Sequence, residues 1–136
     1  MRIFAICLIA LGLFAGCATS SGGLRSASDR LDETSQMFYR QLAAAPASRT
    51  AVADAERFAD AAHEFHREVR DGRSAKVLAP MFDRVADRYH ALRDQLDDRE
   101  YSSRYREAGF DRVTDAYLDV ERVMNRKYGR RYGSRD

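Results

Sequence analysis

Four stretches of the chain repeat apolar residues at alternating three- and four-residue steps, the rhythm that places them on one face of an α-helix. The first carries Leu31, Ser35, Phe38 and Leu42 and starts near Ser28 and Asp29, residue types that cap helix N-termini. Ala44-Ala45-Pro46 ends it. The second carries Ala51, Ala55, Phe58, Ala62, Phe65 and Val69, with Ser48 or Thr50 placed to cap its start. The third carries Leu78, Phe82, Val85, Tyr89, Leu92 and Leu96. Pro80 lies early in it, which is tolerated if the regular helix begins near Ala79; otherwise residues 74–79 form a short separate turn. The fourth carries Arg106, Phe110, Val113, Tyr117, Val120 and Met124, starting near Ser102 or Ser103 and stopping before Gly129. No stretch alternates with the two-residue period of a strand. Asp71-Gly72, flanked by helical periods, is a helix stop rather than a hairpin turn.

None of these helices buries its stripe alone. The connections near 45–49, 71–75 and 97–102 are short, so sequential helices pack antiparallel. The expected fold is therefore all-α: a small up-down-up-down four-helix bundle over residues 28–128. Because the first stripe is the poorest, the competing arrangement is a three-helix bundle with that helix loosely attached. In the second helix, Ala51, Ala55 and Ala62 leave room for a close neighbour, while Phe58 and Phe65 supply much of the burial.

The N-terminus has a different character. Met1-Arg2 is followed by an apolar run from Ile3 to Ala15, one positive charge and then about 13 apolar residues, as in the n- and h-regions of a secretory signal. A spanning helix needs about 20 apolar residues, so the run is too short to remain as an anchor. It ends Leu13-Phe14-Ala15-Gly16-Cys17. This segment resembles the lipobox of bacterial lipoproteins, where small residues precede an obligatory cysteine. The resemblance covers residues 1–17 only and implies cleavage after residue 16 and lipidation of Cys17. The other reading is an ordinary signal cut after a small residue such as Ala18, which leaves no lipid. Cys7 lies in the segment removed, so a lipidated Cys17 leaves the mature chain with neither thiol nor disulfide. By the same resemblance, Ala18 lacks the aspartate that marks inner-membrane retention, and the expected location is the periplasmic face of an outer membrane. Residues 18–27, small and polar, read as a flexible tether that follows the lipidated cysteine, and residues 129–136 as a basic tail.

Composition narrows the function classes. At 136 residues one domain is expected, and 23 basic against 21 acidic residues, well mixed, speak against long disorder and against a nucleic-acid binder. The chemistry-bearing pattern that stands out is Asp60-x-x-His63 on the second helix and Asp87-x-x-His90 on the third, the acid-x-x-His spacing that di-iron bundles point inward. Helical phase turns both pairs outward here: His63 follows core position 62 by one step, His90 lies beside Tyr89, and His66 falls on the flank. No metal site is expected, with His63, His66 and His90 as the weak candidates. A covalent haem needs Cys-x-x-Cys-His, and Met81 and Met124 are core filling. There is no Gly-x-Ser-x-Gly elbow, no free cysteine and no phosphate-cradling glycine loop, so no enzyme and no cofactor are expected.

Two surface features remain. Residues 126–135 hold Arg126, Lys127, Arg130, Arg131 and Arg135 with Tyr128 and Tyr132. These are either cations complementing a helix C-terminus or an adhesive arm for an anionic surface. Tyr101 and Tyr105 stand among arginines near the start of the fourth helix, residue types enriched at binding hot spots, or else they pack the end of the bundle. The expected function is an envelope-anchored, non-enzymatic interaction or structural module. Its expected partners are the membrane, through the lipid, and a protein or cell-wall surface, not nucleic acid. In anchor, size and helicity it is similar to the small helical lipoproteins that assist envelope assembly, such as pilotins; an immunity-type lipoprotein is a second form of the same reading. The alternative from another class is a metal- or small-ligand-binding bundle.

Overall fold

A computed structural model describes residues 20–96 and 109–129. Among these residues there are four helices and no strand: α1 (Ser20–Ala44), α2 (Arg49–Arg70), α3 (Ala75–Leu96) and α4 (Phe110–Tyr128). They form a four-helix bundle. Its register follows from the side-chain pairs. Ser28 meets His66 and Tyr39 meets Glu56, so α2 runs antiparallel to α1. Phe65 lies against Phe82 and Phe58 against Tyr89, so α3 reverses again. Arg30 reaches Asp119 while Phe38 reaches Phe110, so α4 returns antiparallel beside α1. The up-down-up-down order is thus closed into a ring, with α1 packed by both α2 and α4.

The four edges of the ring are not equal. On the α1–α2 edge the buried positions are small, Ser28, Ser35, Ala55, Ala59 and Ala62 among them. On the α3–α4 edge they are rings. Tyr89 stacks on Tyr117 with centroids 4.0 Å apart, Phe82 stacks on Tyr117 at 5.8 Å, and Tyr89 lies 6.1 Å from Phe110. Small residues bring two backbones together, and aromatic pairs hold two apart while contributing about 0.5–1.5 kcal/mol beyond their burial. Every stripe position named from the sequence within α1, α2 and α3 is buried, as are Val113, Tyr117, Val120 and Met124 in α4. Phe110 is half-buried, and Arg106 lies outside the described residues.

Two boundaries differ from expectation. The tether expected over residues 18–27 is helical from Ser20, and Leu24 in it is buried. Burying a leucine stabilises by about 1.5–3 kcal/mol. That offsets Gly22 and Gly23, each about 1 kcal/mol poorer than alanine in a helix. Ser28, expected at the cap, is therefore a mid-helix residue on the core face. In α3 the helix runs through Pro80 from Ala75, with neither a start at Ala79 nor a separate turn. Its first amides, those of Val77 and Leu78, donate to the Ser74 carbonyl, and the burial of Leu78 and Phe82 on either side of Pro80 holds the turn. In the fourth stripe the described helix runs from Phe110, directly after Gly109 at φ 94° in the left-handed region, and the start expected near Ser102 or Ser103 lies outside the described residues.

The other ends match the sequence signals. Ser48 accepts from the Ala51 amide at 3.1 Å. After α2, Gly72 at φ 71° closes a Schellman motif, its amide donating to the Val69 carbonyl and that of Arg73 to the Glu68 carbonyl. Gly129, also left-handed, ends α4.

Candidate functional site

The α1–α2 seam is edged by a ladder of polar contacts along most of its length. From one end to the other, Arg25 donates to the Arg70 carbonyl at 2.9 Å, Ser28 Oγ and His66 Nδ1 lie 3.1 Å apart, and His63 Nδ1 meets Asp32 Oδ2 at 3.0 Å. Gln36 then donates to the Ala59 carbonyl, and Tyr39 to Glu56. At the end where α1 begins, the ladder opens into a groove of about 560 Å³ lined by Arg25, Ser26, Asp29, His66, Arg70 and Asp71. Both signs of charge face this space, with a buried histidine in its wall.

The groove contains a Ser-His-Asp constellation. Ser28 Oγ is 3.1 Å from His66 Nδ1, and Asp29 Oδ1 is 3.5 Å from His66 Nε2. Acyl transfer needs the serine open to substrate and the aspartate buried behind the histidine. Here the order is inverted: Ser28 is 0% exposed, and the Asp29 side chain is 73% exposed. The Ser28 hydroxyl is also committed to the Arg25 carbonyl at 3.0 Å, the back-bond of a serine inside a helix. The trio is an interhelical clamp with one open charged end, and no acylation step follows from it.

A second polar group lies in the α3–α4 seam. Tyr89 donates to Thr114 Oγ1 at 3.2 Å, and Tyr117 donates to Glu121 Oε1 at 3.4 Å. Burial, reinforced by the nearby Glu121 and Tyr89, pushes the Tyr117 hydroxyl far above its ordinary 10.0. It is a neutral donor, not a base. Burial also raises the Glu121 carboxyl above its ordinary value, while the Tyr117 bond and His90 pull it the other way. The His90 ring stands edge-on to Tyr89 and Tyr117, and its Nε2 is buried with no hydrogen-bond partner.

Two of the three histidines depart from the outward phase expected of them. His66 is buried, and not on the flank, because the small Ser28 lets α1 come close enough to cover it. His90 is half-buried rather than on the outer face, because Tyr117 of α4 covers it. His63 is exposed, but it is held by Asp32 on another helix rather than by Asp60 on its own. The three do not converge: two line the α1–α2 seam and one the α3–α4 seam. Among the described residues no three His, Cys, Asp or Glu side chains come together to hold a metal. Met124 is fully buried and Met81 partly, both within the core. Cys17, Tyr101, Tyr105, Arg130, Arg131 and Tyr132 lie outside the described residues. The sequence did not mark Arg25, Asp29, Arg70 or Asp71 as site residues; Asp29 and Asp71 stood out only as helix-end signals. Extending the stripe upstream through Leu24 and Ser28 is the signal that would have placed the first two on a helix.

Comparison with known proteins finds no family model, no curated protein and no solved structure that matches this chain. Among the described residues no helix is long and apolar enough to cross a membrane.

Proposed function

We propose that the protein is an envelope-anchored lipoprotein acting as a non-enzymatic interaction module, held through lipidated Cys17 on the periplasmic face of an outer membrane. The observation that carries the reading is the groove at the start of α1. It offers Arg25, Arg70, Asp29 and Asp71 to a partner, while the one hydroxyl beside its histidine is sealed from solvent. Such a surface recognises a ligand bearing charge of both signs, as a folded protein or a peptide cross-bridge of the cell wall does, and performs no chemistry on it. Charged groups at a rim chiefly set the rate and selectivity of association. Tyr101 and Tyr105 are candidate further contacts, as are Arg130, Arg131 and Tyr132 of the tail.

The test is affinity capture from cross-linked envelopes with the lipid in place, comparing the native chain with Arg25→Ala/Arg70→Ala. A dominant partner lost from the double variant supports the module. The same bulk envelope profile with both chains overturns it. The anchor has its own test: Cys17→Ala abolishes acyl labelling and releases the protein from membranes, and a variant that still labels refutes the lipidation.

A further inference from the structure

The two ends of the bundle differ in charge. The interhelix pairs bring the start of α1, the end of α2, the start of α3 and the end of α4 to one end. Arg25, Arg70, Lys76, Arg126 and Lys127 stand there, and none has a carboxylate within 4.0 Å among the described residues. Arg67 and Arg73 add two more cations and share one acid, Glu68, at 3.6 and 3.0 Å. The other acids at this end are Asp29 and Asp71, both lining the groove. Among the described residues the opposite end is balanced: Arg40, Arg49, Arg57, Arg93 and Arg112 stand with Asp54, Glu56, Asp94, Asp111 and Asp115.

The chain ahead of the bundle is short. The chain is already helical at Ser20, the first described residue, and three residue steps span at most about 10 Å back to Cys17. A lipid on Cys17 holds the basic end within one or two screening lengths of the headgroups, each about 8 Å at physiological salt. The 22 residues of α2 put the balanced end roughly 33 Å away, several screening lengths out. Only one end of this bundle therefore feels a charged leaflet, and it is the cationic one.

We propose that the α3–α4 side of this basic end, with Lys76, Arg126 and Lys127, is a docking surface for anionic phospholipid headgroups, which stands the bundle on its leaflet with the balanced end outward and leaves the α1–α2 groove open at the side to its partner. The proposal rests on the lipid-anchor reading for its geometry, and its test separates the two. The mature lipidated chain, its acyl group checked by mass, is placed in phosphatidylcholine vesicles with or without phosphatidylglycerol. It carries a fluorophore on Ser74→Cys or, at the far end, on Ala45→Cys; a lipidated Cys17 leaves no competing thiol. A headgroup-bound quencher then reads the distance of each label. Quenching at position 74 rises with phosphatidylglycerol, quenching at 45 does not, and Lys76→Gln/Arg126→Gln/Lys127→Gln removes the rise. Equal quenching at both positions, no dependence on phosphatidylglycerol, or an unchanged triple variant overturns the proposal.

The same mature chain with Cys17→Ser, sedimented with these vesicles, isolates the charged end from the anchor, since the substitution removes only the site of the lipid. Each basic group near an anionic surface strengthens association about fivefold, so the triple variant weakens binding to phosphatidylglycerol vesicles on the order of 100-fold. If the Cys17→Ser chain sediments no better with phosphatidylglycerol than with phosphatidylcholine, the docking surface fails while the anchor stands. If the mass shows no acyl group but this binding persists, the anchor fails while the docking surface stands.

Discussion

Replacing Tyr117 by phenylalanine should make the protein less stable at neutral pH and more stable at pH 11. Tyr117 is 1% exposed, and its hydroxyl has one partner, Glu121 Oε1, at 3.4 Å. A bond that long lies at the weak end of the usual net range, so its loss at pH 7 costs about 0.5 kcal/mol. At pH 11 the unfolded tyrosine, titrating near 10, is about ten-elevenths ionised, while the native residue keeps its proton. The unfolded state then binds fewer protons, stability falls as pH rises, and the accumulated loss is about 1.4 kcal/mol. Phenylalanine escapes that loss. The other six tyrosines are common to both chains, so they drop out of the difference. The variant should therefore change from about 0.5 kcal/mol less stable to about 1 kcal/mol more stable than the native chain. Urea unfolding followed by circular dichroism at pH 7 and pH 11 measures both differences. An equal difference at the two values would mean that native Tyr117 ionises as readily as a free phenol, and the account of this seam would be wrong.

Three further outcomes follow from the packing and the caps. Glu121→Gln keeps an acceptor for Tyr117 but removes a carboxyl whose raised pKa destabilises the fold once it ionises. Its stability relative to the native chain should rise between pH 4 and pH 7 in thermal melts, and a flat difference would place Glu121 in ordinary solvent. Phe65→Ala empties a 0% exposed position next to Phe82 and should cost roughly 3–5 kcal/mol in chemical unfolding; a loss under about 1 kcal/mol would show that the site collapses around the gap. Ser48→Ala removes the acceptor for the Ala51 amide and should cost about 1 kcal/mol, whereas Ser48→Gly should cost only a few tenths.

The sequence by itself determined the four helices of the described residues, the face each one buries and several of their ends, because those depend on local rhythm and on residues such as Ser48, Gly72 and Gly129 that act within one turn. It also carried the lipobox and its implied anchor, which lie outside the described residues and enter only as a proposal. The tertiary structure decided everything that needs two helices at once. Helical phase set His66 on a flank, and only the approach of α1 over Ser28 buries it. Phase likewise turned His90 outward, and only Tyr117 from α4 covers it. His63 found its acid on a neighbouring helix rather than three residues back. The described start of α1 shows the same cause: propensity makes Ser-Ser-Gly-Gly a tether, and the burial of Leu24 makes it part of a helix. The groove and the basic end belong to this second class. Their residues are scattered along the chain and share no spacing, and they meet only because antiparallel packing gathers four helix ends in one place.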